Sequence, residues 1–318
     1  MKETAGQQGG LQAPLAVKNG IAPSRVWLPE GDWHYVGEFL LQRFEHVAPE
    51  ALHKRLAQGD IVDAQGKPVH FHTPYRPQQW LWYYRYVENE VPVPFAMPIL
   101  YADDTLIAVD KPHFLASIPG GQYLQHTALT RVRQLFDDAT ITPLHRLDRE
   151  TAGVLLFCRQ PALRGAYQSL FQSQLVDKVY EAIAPVSRVV QFPLQYRSRI
   201  VAPKGQFLMK EVAGEPNSDT FISLLRTWQD PDHGVLGWYK LQPSTGRKHQ
   251  LRVHLHALGT PIIHDSYYPP GQPPLAADDF SHPLQLLARS IAFIDPISHE
   301  YRVFTSQQQL ACLPTVKS

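Results

Sequence analysis

The chain has 318 residues, 44% of them apolar, enough for one large domain and a small one, each with its own core. With 30 basic and 29 acidic side chains the formal net charge is +1, which neither signals nor excludes a nucleic-acid partner, because a local basic groove can sit on a nearly neutral protein. No stretch approaches the roughly 18 apolar residues of a membrane span, the start MKETAGQQGGLQAPLAV lacks a signal peptide's apolar segment, and Cys158 and Cys312 are too few for a disulfide framework or a thiolate metal cluster, so the cytoplasm is the expected address.

Residues 1–33 are read as a flexible tail, rich at its start in Gly, Gln and Ala without periodicity. From Tyr35, apolar residues at Phe39, Leu40 and Phe44, then Leu52 and Leu56 after Pro49, recur at helical spacing and predict a short helix pair. The following GDIVDAQGKPVHFHTPYRPQQWLWYYRYV alternates and turns at Gly59, Gly66 and Pro74, as short strands do. Three prolines in residues 89–98 mark a boundary, so a first domain is placed at 34–90, a linker at 91–98 and a second domain at 99–310.

The second domain opens with ILYADDTLIAVDKP, two apolar strands about an Asp-Asp turn, with Lys111 at the end of the second. GVLLFCR reads as a buried strand, and QPALRGAYQSLFQSQ as a helix with Leu163, Tyr167, Leu170 and Phe171 on one face. DKVYEAIAP is a strand with Tyr180, Ala182 and Ala184 on one side. GWYKLQPSTGRKHQLRVHLHALGTPIIHD holds a strand, a Gly turn and a long amphipathic segment, and LQLLARSIAFIDPISHEYRVF closes the domain as two strands about a Pro turn. Strands outnumber helices without regular alternation, so the expected class is α+β with a mostly antiparallel, mixed sheet.

In LHRLDRETAGVLLF, residues 144–157, Asp148 stands between Arg146 and Arg149 just ahead of a buried strand. A surface ion-pair cluster is the plainer reading. Against it, a strand start presents a carboxylate rigidly at a sheet edge. Lys178 and Tyr180 also share one strand face, and GRKHQLRVHLH gathers Arg247, His249, Gln250 and Arg252 into one basic polar stretch.

HRLDRETAG, the pair Lys178 and Tyr180, and GRKHQLRVHLHALGTPIIHD resemble, in order and spacing, the three motifs of the RluA-type pseudouridine synthases. With DDTLIAVDKP the likeness covers roughly residues 98–308. The first domain resembles the ribosomal-protein-type RNA-binding module, two helices and a small sheet, that many members carry ahead of the catalytic domain. The resemblance implies a mostly antiparallel, mixed-sheet catalytic domain preceded by a small α/β RNA-binding-like module. It implies an isomerase that converts uridine to pseudouridine in RNA, ribosomal RNA ahead of transfer RNA, as a monomer with no cofactor, no metal and no membrane partner.

The same likeness assigns the nucleophile role to Asp148, leaving open whether it attacks the ribose or the base. An enzyme carboxylate can hold one fragment while the uracil turns and its carbon 5 joins the ribose. Arg252 matches the Arg of the family's Gln-Leu-Arg and would keep that carboxylate charged. Tyr180 would stack on the target base and act as general base or proton relay. Arg146 would fill the gap that a flipped nucleotide leaves in the RNA stack. His145, Lys178, Arg247, His249, Gln250 and Lys111 complete the expected substrate-binding set.

His249, His254 and His256 raise a zinc site, with His254 and His256 on one face of a strand, but no acidic residue stands at ligand spacing within that stretch. Trp80, Trp82, Tyr83, Tyr84 and Tyr86 suit RNA stacking or packing against the catalytic domain. Two rival readings are a non-catalytic RNA-binding protein that retains the fold, and a zinc hydrolase built on the histidines. The intact Asp148, Tyr180 and Arg252 stand against the first. Asp295-Pro296 and His299-Glu300 replace the family's closing His-Pro and Gly-Glu turn, and residues 267–283 are longer and richer in proline, departures that bear on substrate choice.

Overall fold

A computed structural model describes residues 13–273, 276 and 278–314, so residues 1–12 of the expected tail and three positions of the proline-rich 267–283 segment lie outside the described residues. The chain divides into two compact units, Met1–Glu88 and Asn89–Ser318.

In the first unit Ser24–Leu28 forms a strand, β1, which corrects the expectation that the tail runs to residue 33. Val26 and Leu28 alternate with Arg25 and Trp27, and that alternation lets β1 pair antiparallel with β3 (Gln79–Tyr83), which also takes β2 (Ile61–Val62) on its other side. Helices α1 (Val36–Arg43) and α2 (Pro49–Ala57) close the core, with Phe39, Leu40, Leu52 and Leu56 packed on Val26, Leu28 and Leu81. α1 starts where the Glu38 carboxylate accepts from the backbone N–H groups of His34 (2.8 Å) and Tyr35 (3.2 Å). Alternation also splits the aromatic run: Tyr83 packs on the core, whereas Trp80 lies against Trp27 (5.0 Å) and under the Arg25 guanidinium (4.2 Å) on the opposite face.

The second unit holds strands β4 (Ile99–Ala102), β5 (Leu106–Lys111), β6 (Thr142–Pro143), β7 (Ala152–Cys158), β8 (Asp177–Pro185), β9 (Leu194–Val201), β10 (Lys210–Val212), β11 (Ser218–Asp230), β12 (Gly234–Pro243), β13 (Leu286–Ile294) and β14 (Tyr301–Thr305). They form one 11-stranded sheet in the order β10-β9-β11-β12-β8-β13-β7-β5-β4, with β14 on β13 and β6 on β7. Of the pairings between these strands, β7–β13 alone is parallel among the described residues, so the fold is α+β with a mostly antiparallel, mixed sheet. Helices α3 (Ala128–Phe136), α4 (Arg164–Gln172) and α5 (Gln250–Ala257) pack on it.

β5 and β7 are buried on both faces, which explains their unbroken apolar runs. Ile107, Val109, Leu155 and Phe157 meet α3, while Leu106, Ala108, Val154 and Leu156 meet α4 through Tyr167. α5 lays Leu251 and Leu255 on β8, β11 and β12. The expected linker 91–98 and Glu90, expected at the end of the first domain, are tied into this unit: the Glu90 carboxylate accepts from the N–H groups of Leu124, Gln125 and His126 (2.7–2.9 Å), and Arg131 donates to the carbonyls of Val93 and Phe95. Its prolines remove ladder donors but leave carbonyls free to accept, so the segment docks without becoming a strand.

Gly153 is the residue through which β7 meets β13. At φ +113°, a Cβ there would stand 2.2 Å from the Ala288 carbonyl oxygen, so only glycine allows the two backbones to close. Ala288 faces Gly153 on one side and Tyr180 of β8 on the other. This contact brings the loop before β7 beside β8.

Candidate active site

The loop HRLDRET leads into β7 with its backbone clamped: the Ser117 hydroxyl donates to Leu147 O (2.7 Å) and accepts from Leu147 N–H (3.0 Å), and Thr151 N–H donates to Asp148 O (3.2 Å). The Asp148 carboxylate therefore projects into a pocket of about 760 Å3 that Arg146, Tyr180, Lys178 and Arg252 also line. Its side chain is 28% exposed, and its Oδ2 lies 3.7 Å from Nη1 of Arg252.

Arg252 is 1% exposed. Its Nε and Nη2 hold Asp265 bidentately (2.8 and 2.5 Å), and Nη2 also donates to Glu150 (2.7 Å). Burial alone would lower its pKa, but the hydrogen bond and charge of Asp265, then Glu150 and Asp148, more than offset that and raise it, so the guanidinium stays charged. Nη1 is buried without a hydrogen-bond partner among the described residues and is the nitrogen nearest Asp148. Asp265 is held in turn by the N–H groups of Tyr267 and Tyr268, Glu150 by the Ser266 hydroxyl, and the guanidinium lies 4.5 Å from the Tyr267 ring. Glu150, Asp265 and Tyr267 are not among the site residues expected from the sequence. Asp265 ends the GTPIIHD stretch and Glu150 lies within DRE, but nothing in their spacing shows that both would face Arg252.

Tyr180 stands across the pocket on β8, where burial, reinforced by the charge of Asp148, raises its phenol pKa and keeps the hydroxyl protonated. His249 opens α5 with φ +56°, its Nε2 3.9 Å from Asp148 and its Nδ1 2.9 Å from the Tyr268 hydroxyl. Burial pulls its pKa down to about 4 despite the opposing charge of Asp148, so it is a neutral ring at pH 7. His145 stacks on Phe171 (5.1 Å), accepts from Leu156 N–H and is likewise pushed by burial to about 3. Lys178 donates to Thr245 O (3.0 Å), and Arg247 donates to Asn217 O (2.9 Å). Arg146 is exposed at the pocket and makes no hydrogen bond or ion pair among the described residues.

Two of the expected substrate contacts have their polar atoms engaged within the protein. Lys111 is 0% exposed and outside the pocket lining; its Nζ donates to the carbonyls of Pro112, Leu115 and Arg149, while burial lowers its pKa to about 7. It ties the end of β5 to the Asp148 loop. Gln250 lines the pocket, but its amide is fully used, donating to Asp219 O and Thr220 and accepting from Thr245 and Arg247 N–H, so it shapes the turn before α5. Phe207, which the sequence reading did not single out, lines the pocket from the β9–β10 connection.

The histidines also depart from expectation. His254 and His256 lie on α5, a helix, where two residues apart do not share a face. His254 is 0% exposed and satisfied by the hydroxyls of Ser198, Ser218 and Thr220. Among the described residues no group of three or more His, Cys, Asp or Glu is arranged to hold a metal ion, and no helix is long and apolar enough to cross a membrane.

A family model described as RNA pseudouridylate synthase matches residues 105–257. An uncharacterised RNA pseudouridine synthase of Synechocystis is 32% identical over 241 residues, covering 75% of this chain and 80% of that protein. The dual-specificity RNA pseudouridine synthase RluA of Vibrio vulnificus is 32% identical over 213 residues, covering 64% of this chain and 80% of the relative. Of solved structures, Human RNA Pseudouridylate Synthase Domain Containing 1 shares the fold, with a TM-score of 0.54 at 22% identity over 67% of this chain and 84% of that one. The span matched by the family model contains Asp148, Tyr180 and Arg252, and by this likeness the chain belongs to the RluA-type RNA pseudouridine synthases, isomerases that act on RNA.

Proposed function

We propose that Asp148 is the nucleophile of the isomerisation and that the pocket takes a single flipped uridine, from ribosomal RNA ahead of transfer RNA. The observation that carries this reading is the pairing of a solvent-reachable carboxylate with the one guanidinium nitrogen of Arg252 that has no hydrogen-bond partner, 3.7 Å away. Glu150 and Asp265 saturate the other side of Arg252, so Asp148 alone of the three is free to react.

The bond changes balance within the substrate. An Asp148 oxygen bonds to the uridine, the bond from ribose carbon 1 to uracil N1 breaks, and uracil turns. Carbon 5 then bonds the ribose, the enzyme ester or adduct breaks, and the proton lost from carbon 5 is matched by one gained at N1. No electron or group is added, which is consistent with a reaction needing neither cofactor nor metal. Tyr180 serves as a neutral phenol, giving the base a face to stack on and relaying a proton, in place of the phenolate a strong base would need. Arg146, exposed and unpaired among the described residues, fits the space the flipped nucleotide leaves. The first unit contributes RNA docking, and the protein works as a monomer in the cytoplasm.

Asp148→Asn keeps shape but is no nucleophile. Single-turnover pseudouridine formation should fall to background while gel-shift affinity for RNA and the thermal melt persist. Retained turnover in the folded variant would remove Asp148 from the chemistry. Mapping pseudouridines in cellular RNA with and without the protein identifies the target; positions confined to transfer RNA would reverse the stated order.

A further inference from the structure

The β9–β10 connection, residues 202–209, holds an aromatic ring that core packing does not explain. Phe207 is 59% exposed although it lines the Asp148 pocket. An exposed phenylalanine contributes little to folding, yet this one is held at several points. Gln206 N–H donates to Pro203 O (3.1 Å) across a turn whose third residue, Gly205, has φ +73°, the conformation that favours glycine there. Lys248 Nζ donates to Phe207 O (2.7 Å) and sits 3.5 Å from the ring centroid. Two residues on, the Tyr268 hydroxyl accepts from Met209 N–H (2.9 Å) and donates to Met209 O (3.1 Å). His249 and Tyr267, the neighbours of Asp148 and Arg252, meet the ring at 5.3 Å each. The loop is therefore tied to the start of α5 and the segment after it, and what it presents is a flat apolar ring, 59% exposed, with the Lys248 ammonium over one side.

We propose, on the reading that this pocket is the active site, that Phe207 is a nucleobase-stacking residue that receives the base adjoining the target uridine. A nucleobase is the RNA group that matches a half-open aromatic face, because every base offers a planar π surface and stacking needs no particular hydrogen bond. The surroundings suit the rest of a nucleotide. Lys248 lies over one side of the ring, and Arg247 and Arg146 line the same pocket, so phosphates on either side of the stacked base meet cations. Extruding the uridine unstacks its neighbour, and Phe207 replaces the contact that neighbour loses. The loop thereby sets how the strand enters.

The test uses the full-length protein and total RNA from cells lacking it, with pseudouridine read under single-turnover conditions while enzyme concentration is varied. Phe207→Ala should raise the half-saturating enzyme concentration roughly tenfold, the loss falling there more than on the saturated rate. Phe207→Trp should restore affinity, whereas Phe207→Leu, apolar but without a π face, should behave like Phe207→Ala. A Phe207→Leu variant that matches the unmodified protein, or a Phe207→Ala variant with unchanged half-saturation, overturns the proposal. Asp148→Asn run in parallel separates the two readings. If it retains turnover, the assignment of the pocket fails; if it is inactive yet binds RNA, the Phe207 series stands or falls by itself. The ring is exposed, so a thermal melt should register no change in the three variants.

Discussion

Arg252 divides its guanidinium among three carboxylates, and the division explains why one of them is reactive. Two are fixed by short charge-assisted bonds, and Asp148 at 3.7 Å receives the field of the cation without a bond that would tie its oxygens down. Arg252→Lys keeps a charge but loses the planar fork, so turnover should fall steeply and stability by about 1–3 kcal/mol, read by single-turnover assay and urea unfolding. Unchanged turnover would mean that charge alone suffices. The buried histidines make a separate prediction about pH. His254 is 0% exposed and burial depresses its pKa to about 4 against the weaker opposing charge of Asp219, whereas an unfolded histidine titrates near 6.5. Between those values the unfolded chain binds the extra proton. The stability from His254 is therefore complete above pH 6.5 and is lost as pH falls toward 4, at up to about 1.4 kcal/mol per pH unit. Urea unfolding at pH 7, 6 and 5 should show this slope, and His254→Gln should reduce it by about one proton. A slope unaltered by the substitution would assign the effect to other groups.

At the scale of elements, the site exists because β7 and β13 approach through Gly153. The parallel pairing at Ala152–Leu287 and Gly153–Ala288 interrupts an otherwise antiparallel sheet and sets the HRLDRET loop beside β8. Gly153→Ala would drive a methyl into the Ala288 carbonyl and hold alanine at φ +113°. A loss of about 2–4 kcal/mol is expected, with turnover falling further than stability because Asp148 and Tyr180 separate. Denaturant titration and single-turnover assay measure both. A fully active, fully stable variant would show that the backbones can part without moving the site.

At the scale of the whole molecule, the boundary between the units lies at Glu88, and residues 89–98 belong with the second. Removing residues 1–88 should leave a folded catalytic unit that binds and turns over long RNA less well than before, with a smaller loss on a short stem-loop. Removing residues 1–98 should also lower the melting temperature, because the backbone N–H groups of Leu124, Gln125 and His126 lose Glu90 and Arg131 loses two carbonyl acceptors. Equal loss on both RNAs would mean the first unit mainly supports the fold. Equal melts for the two truncations would mean that residues 89–98 are dispensable.

Period and composition were enough to read several elements from the sequence. The helical spacing of Phe39, Leu40, Leu52 and Leu56 corresponds to α1 and α2, because each buries one face whose repeat is local, and DKVYEAIAP corresponds to β8, although Glu181, Ala182, Ile183 and Ala184 are all buried there. The α5 segment was harder: His254 and His256 read equally as a strand, and only packing of Leu251 and Leu255 on β11 and β12 decides for a helix. The Asp148 loop, Tyr180 and Arg252 stood out through their motifs. That Lys111 would bond the Arg149 carbonyl 38 residues on, that Glu150 and Asp265, 102 and 13 residues from Arg252, would share it, and that Phe207 would meet His249 at the pocket is not written in any local spacing. A local pattern records which face of an element is buried; which carboxylates share a guanidinium is decided only when the sheet closes and brings distant ends together.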